Sequence, residues 1–244
     1  MGELIGVLSG KGGTGKTSVC AGVASALALQ GEKVLCIDCD IGLRNLDISL
    51  GMSDLGGLSF WDVCRGDYPL SMATHHPRYD TLHFLTAPMN CPASAIDPMA
   101  FSRMLEQARE EYDYVFMDAP AGIEDGFLLA ARFADRIFVV TGPDPASVRD
   151  ACRAGEVLEL MGKHNIRLIV NRINKKIAAS MRLTVDDIMD HAGLPLLGVV
   201  PEDPHVTLAA AFKKDLLSYT RKEAAAACCR IARRIQGYPT PIFL

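Results

Sequence analysis

An α/β fold in one domain, with a mostly parallel sheet covered by helices on both faces, is predicted by three observations. Short runs rich in Val, Ile, Leu and Phe alternate with longer helix-period stretches along the whole chain. These runs are apolar almost throughout rather than at alternate positions, so both their faces are expected to be covered. No repeat, low-complexity segment or linker divides the 244 residues. Strands are predicted over 4–8, 33–38, 81–86, 114–118, 136–141, 166–170 and 197–200. Helices are predicted over 16–30, 98–111, 125–134, 146–162, 185–191 and 218–235, with Gly31 past the end of the first as a C-terminal cap. The stretches 42–57 and 66–78 read as irregular, and 237–244 as a short tail.

The first loop carries the most specific signal. Gly10, Gly15, Lys16 and Thr17 fit G-x-x-x-x-G-K-[ST] between a predicted strand and a predicted helix. In such a P-loop the glycines, here Gly10, Gly12, Gly13 and Gly15, let backbone N–H groups curl around phosphates up to Thr14 and Ser18. Lys16 neutralises the β and γ oxygens and the Thr17 hydroxyl binds Mg²⁺. A plain glycine turn would need neither, so the domain reads as a P-loop NTPase. Lys11 is left over, because one lysine is enough for one nucleotide, and a solvated loop lysine is the plain alternative.

Carboxylates follow. Asp38, Asp40 and Asp47 lie in "CIDCDIGLRNLDISLG" after the second strand, and Asp118 ends the apolar run "YVFMD" ahead of Pro120, Ala121 and Gly122. Acids beside a phosphate loop repel a nucleotide unless Mg²⁺ or proton transfer uses them. Taken singly, each also suits a turn or a cap.

"KGGTGKT" resembles the deviant Walker A motif of the MinD/ParA family of ATPases, whose signature lysine falls on Lys11. "DCDIGLRNLD" resembles switch I of the MinD branch, and the likeness extends over essentially the whole chain. The resemblance implies a homodimer that sandwiches two ATP molecules, with Lys11 crossing to the partner's phosphates and dimerisation dependent on ATP. It implies Mg²⁺ held at Thr17, Asp40 and Asp118, with Lys11, Lys16, Asp38, Asp40 and Asp47 as the catalytic candidates. Asp40 stands first for the attacking water, with Asp38 and Asp47 still in play, and Asn45 touches nucleotide or partner. Gly122 matches the switch II glycine whose N–H swings toward a γ-phosphate.

Adenine contacts are implied for Asn171 and Arg172 in "IVNR" and for Pro201, Glu202 and Asp203 in "VVPED"; buried turn-making is the alternative. Regulators of the MinC and MinE kind are implied to dock near Ser147 to Arg153, where helix capping by Ser147 is the structural alternative. The activity implied is slow, partner-stimulated ATP hydrolysis serving as a spatial switch in division-site placement. Positioning of a flagellum, pilus or other assembly, or DNA partition, is the alternative. A non-hydrolysing scaffold, and a redox or metal module at Cys36, Cys39 or Cys91, are readings from other classes; Cys36 and Cys39 suit strand packing better.

The net charge of -4 supplies no general attraction for nucleic acid or anionic lipid, and Lys175, Lys176, Lys213 and Lys214 are scattered. With no signal peptide and no apolar run of the ~20 residues that a membrane span needs, a cytoplasmic address is expected. The chain stops at "RRIQGYPTPIFL", where MinD chains run on into a basic amphipathic segment, and Pro239 and Pro241 forbid a regular helix there. Arg230, Arg233 and Arg234 form a basic helix side, solvated or in weak contact with lipid. Peripheral membrane attachment is therefore expected to depend on a partner.

Overall fold

The computed structural model describes residues 1–41, 43–89, 95–174, 176–177, 180 and 184–242; Cys91, Lys175 and the last two residues of the tail lie outside them. Eight strands form one sheet: β1 (Glu3–Leu8), β2 (Val34–Asp38), β3 (Thr74–His75), β4 (Leu82–Leu85), β5 (Tyr114–Asp118), β6 (Arg136–Thr141), β7 (Ile166–Ile173) and β8 (Leu196–Pro201). Their order is β3-β4-β2-β5-β1-β6-β7-β8, and only the two-residue β3 runs antiparallel. The described helices are α1 (Lys16–Leu29), α2 (Leu46–Ser49), α3 (Phe60–Cys64), α4 (Pro98–Glu111), α5 (Asp125–Phe133), α6 (Pro145–Leu160), α7 (Val185–Ala192), α8 (Pro204–Ala211), α9 (Leu216–Tyr219) and α10 (Glu223–Ile235).

The apolar strands have two covered faces, as their composition requires. On one side Phe101 and Met104 of α4, Phe127 of α5, Leu158 of α6 and Ile188 of α7 close over the sheet. On the other, α1 and α10 lie side by side, with α2 and α9 completing the layer. Gly22 lets α1 approach α10, since a Cβ there would sit 2.7 Å from the Cys228 sulfur. Cys36, Cys39 and Cys228 are buried free thiols, and Cys229 is half-buried.

Four departures from the sequence reading have local causes. The helix expected over 218–235 is two helices, because Thr220–Lys222 is extended and α10 restarts where the Asp203 carboxylate accepts the Ala224 N–H at 3.2 Å. The stretch 42–57 holds α2, and 66–78 holds a 3-10 turn at Leu70–Met72 and β3. Strand β7 runs past Asn171 to Ile173 through a bulge at which Arg172 has φ 59°. Helix α6 is capped by Asp144, not by Ser147: the Asp144 carboxylate accepts the Ser147 N–H at 3.0 Å and its hydroxyl at 2.5 Å.

Register brings the chemistry together. Val7 of β1 and Asp38 of β2 both lie opposite Asp118 of β5, so the loop after β1 and the carboxylates of β2 and β5 emerge side by side.

Candidate nucleotide site

Helix α1 has an open amino end. Its N-cap is Gly15 at φ 80°, and no side chain accepts an N–H there. Helices α4, α6, α7, α8 and α9 each start with an Asp or Thr that does so, while α2, α5 and α10 also lack a side-chain cap but do not start at a left-handed glycine. Unpaired N–H groups at a helix start form a ready anion site. The loop before it, Gly10–Gly15, is packed from both sides: a Cβ on Gly10 would meet the Asp150 carbonyl, and one on Gly15 the Asn171 amide nitrogen. The buried hydroxyls of Ser9 and Thr14 have no hydrogen-bond partner. An uncapped helix start, two orphaned hydroxyls and a buried lysine fit a phosphate chain.

Lys16 is buried, and its ammonium stands 2.6 Å from the Asp118 carboxylate and 3.5 Å from the Thr17 hydroxyl. Burial raises the Asp118 carboxyl above its ordinary range, and the Lys16 charge opposes that rise. Asp38 is 1% exposed and clamps the next loop at two points, accepting the Asp40 N–H at 2.9 Å and the Leu46 N–H at 3.2 Å. Burial, with the neighbouring Asp118 charge, pushes Asp38 up to about 7. Both Asp38 oxygens are thus committed to backbone. Asp40 is half-buried and its charge adds to the rise of the Asp118 carboxyl, while Asp47 accepts the Ile48 N–H at 2.7 Å on α2. Asn45 is exposed just before that helix.

Two further groups singled out in the sequence, Lys11 and Gly122, have partners within the chain. Lys11 lies 3.7 Å from Asp144, the two side chains being 44% and 53% exposed. The Ser147 hydroxyl, with Lys11 adding to it, holds the Asp144 carboxyl below its ordinary range. Gly122, at φ 95°, donates its N–H to the Ser9 carbonyl at 3.0 Å. Sequence reading missed Ser9 and Asp144 as the partners of Gly122 and Lys11; the D-P-x-S start of α6 was the signal for Asp144.

A cavity of about 550 Å³ opens beside the loop, reaching from Gly15 and Ser18 to Asn171, Arg172, Pro201, Glu202 and Asp203. Asn171 donates to the Thr14 carbonyl at 2.8 Å, which leaves its side-chain oxygen as an acceptor. Arg172 donates to the Gly13 carbonyl at 3.1 Å, and a left-handed arginine is a backbone conformation seldom adopted without cause. The Asp203 carboxylate is committed to the starts of α8 and α10, so its part is scaffolding. Val206 and Thr207 of α8, unpredicted from sequence, complete the far wall.

Helix α6 and α7 flank a groove of about 780 Å³ containing Arg149, Arg153 and His191. At the C-terminus Arg234 is not a free basic side chain: it donates twice to the Thr240 carbonyl, at 2.9 and 2.8 Å, and once to Leu197 at 2.8 Å. Arg233 stacks on Tyr238, with its charge 5.8 Å from the ring centre. No described helix is long and apolar enough to cross a membrane.

Comparison with known proteins agrees with this geometry. The CobQ/CobB/MinD/ParA nucleotide binding domain matches residues 5–217. The chain belongs to the MinD/ParA family. This MinD/ParA chain is 38% identical over 248 aligned positions to the septum site-determining protein MinD of Bacillus subtilis (strain 168), covering 99% of the chain and 92% of that relative. It superposes on the MinC:MinD cell division protein complex of Aquifex aeolicus with a TM-score of 0.91 at 35% identity, over 99% of both chains. It also superposes on MinD complexed with Mg-ADP from Pyrococcus horikoshii OT3, with a TM-score of 0.84 at 29% identity over 96% of both.

Proposed function

We propose that this chain is a MinD-type ATPase, one domain over residues 1–244 with a short tail from 237, that pairs around ATP and acts as a spatial switch in division-site placement. The observation that carries the reading is the unequal setting of the two lysines. Lys16 is 6% exposed inside its own pocket, whereas Lys11 is 44% exposed outside it, held by one weak ion pair. A half-exposed pair is worth about 0–1 kcal/mol, so Lys11 is available to a second subunit.

The residues then divide the work. The N–H groups of Gly12–Ser18 and the Lys16 ammonium bind the triphosphate, whose negative charge is complemented by the partial positive charge of the α1 amino end. Thr17, Asp118 and Asp40 hold Mg²⁺, which supplies charge neutralisation at the transferred phosphoryl group. Asp40 orients the attacking water, Asp47 being its nearest substitute, while Asp38 fixes the loop that carries both. Lys11 from the partner subunit stabilises the developing phosphoryl charge, an effect worth about 10³- to 10⁵-fold where cations act this way. The Asn171 side-chain oxygen accepts from an adenine amino group and meets no donor on the oxygen of guanine.

Hydrolysis is slow alone and stimulated by a partner, and regulators of the MinC and MinE kind dock at the α6 start, Ser147 to Arg153. The relative in a MinC:MinD complex supports that docking class. The protein works in the cytoplasm. Gel filtration of Lys11→Ala with ATP and Mg²⁺ tests the proposal: it should bind ATP yet elute as a monomer where the unaltered chain elutes as a dimer. A normal ATP dimer of that variant refutes it.

A further inference from the structure

We propose that the buried trio His76, Tyr79 and Asp215, with the helix α8, positions switch I and ties it to the base pocket. This rests on reading 38–49 as switch I and the cavity beside Asn171 as the base site.

Switch I leaves its hydrolytic end through α2 and turns at Leu50–Asp54. Leu50 and Met52 are fully buried there, so the exit has a fixed seat. The Leu50 carbonyl accepts from His76 Nε2 at 2.9 Å. That ring's Nδ1 accepts the Arg78 and Tyr79 N–H groups at 3.1 and 3.3 Å, which places the ring proton on Nε2 and makes the bond to Leu50 a donated one. Tyr79 in turn donates its hydroxyl to Asp215 at 2.9 Å, and Asp215 is 3% exposed. The backbones themselves touch: a Cβ on Gly51, at φ 70°, would lie 2.6 Å from the Asp215 nitrogen. Outside this seat, Lys213 spans both Asp54 oxygens at 2.7 Å.

The other end of this contact is the base pocket. Asp215 and Lys213 lie in the turn that ends α8, and α8 begins at Asp203, whose carboxylate fixes its start and that of α10. Its eight residues span about 12 Å at 1.5 Å per residue. Only Ala209 of α8 is buried, so the helix is held mainly at its two ends, one at the base loop and one at the switch I exit. Val206 and Thr207 on its first turns line the base cavity. A base seated against those turns therefore loads the same rigid rod whose following turn, at Lys214 and Asp215, abuts Gly51. His76, Tyr79 and Asp215 are positioning residues in this scheme and do not contact nucleotide.

Hydrogen exchange of the full chain, read by mass spectrometry with Mg²⁺ and either ADP or pyrophosphate, tests it. Neither ligand has a γ-phosphate, and only ADP has a base. At concentrations that fully protect residues 12–18, ADP should slow exchange over 45–54 about fivefold more than pyrophosphate, a typical coupling between sites. The difference should vanish in Tyr79→Phe and shrink in the surface variant Lys213→Ala, in which ADP still protects 12–18. Equal protection of 45–54 by the two ligands overturns the proposal, as does a difference that survives both substitutions. Failure of ADP to protect 12–18 in the unaltered chain overturns the nucleotide reading as well.

Discussion

Replacing Asp118 by asparagine removes the charge that balances Lys16. The pair is 2.6 Å long, with side chains 6% and 1% exposed, so water screens it poorly. Breaking a buried pair from one side costs about 3–5 kcal/mol, because the remaining charge stays buried without a partner. At about 2–4 °C per kcal/mol for a chain of this size, Asp118→Asn should melt about 6–20 °C lower when free of ligand. A bound phosphate supplies the missing negative charge, so the variant should recover on binding ADP in the presence of EDTA, where Mg²⁺ plays no part. If only 1.4 kcal/mol of the lost pairing returns in this way, Mg-free ADP binds the variant about tenfold more tightly than the unaltered chain. Scanning fluorimetry gives the melting points and calorimetry the affinities. A variant that melts within 2 °C of the original, or gains nothing from ADP, shows that Lys16 is not balanced by Asp118 and refutes the reasoning.

Asp144→Ala should lose the α6 cap, about 1 kcal/mol of stability, while freeing Lys11. Since the pair it breaks is half-exposed, sedimentation with ATP should show pairing strengthened by no more than about fivefold. Gly15→Ala places a Cβ 2.3 Å from the Asn171 nitrogen at φ 80°, and should abolish ATP binding by calorimetry while circular dichroism stays unchanged. His83 is lowered to about 4 by burial and by His75, whose Nδ1 lies 2.9 Å from it. Its ring binds a proton more weakly folded than unfolded, so stability present above the ordinary pKa of about 6.5 is lost as pH falls toward 4. With solvent screening allowed for, the loss is about 1–2 kcal/mol. Urea melts of His83→Gln should lack that part of the pH dependence.

Features written within a few consecutive residues were legible in the sequence. The G-K-T run, the apolar strand ending in Asp118 and the glycine after α1 each carry their cause beside them, and the strands matched to within one or two residues at most ends. What sequence reading missed depends on partners far along the chain. The break before α10 follows from Asp203 reaching Ala224, and the seat of the switch I exit from Tyr79 reaching Asp215, 136 residues away. Ser147 looked like a cap because serine is a good one, but Asp144, four places before the apolar stripe begins at Val148, outcompetes it with a charge. The α8 helix was missed although Asp203 followed by Pro204 is a capped helix start, since with only Ala209 buried it shows no apolar stripe. The base cavity lies between segments 150 residues and more apart from Gly15, beyond the reach of any local pattern.

The sheet order places β1 between two sets of neighbours with unlike duties. On the proposed reading, loops after β2 and β5 serve phosphate and metal, whereas those after β7 and β8, which line the 550 Å³ cavity, serve the base. Descent with modification can therefore retune which nucleoside is admitted without disturbing the hydrolytic half, and can alter turnover without changing the fuel. One short rod across the outer face, α8, is where such independent tinkering would be felt on both sides.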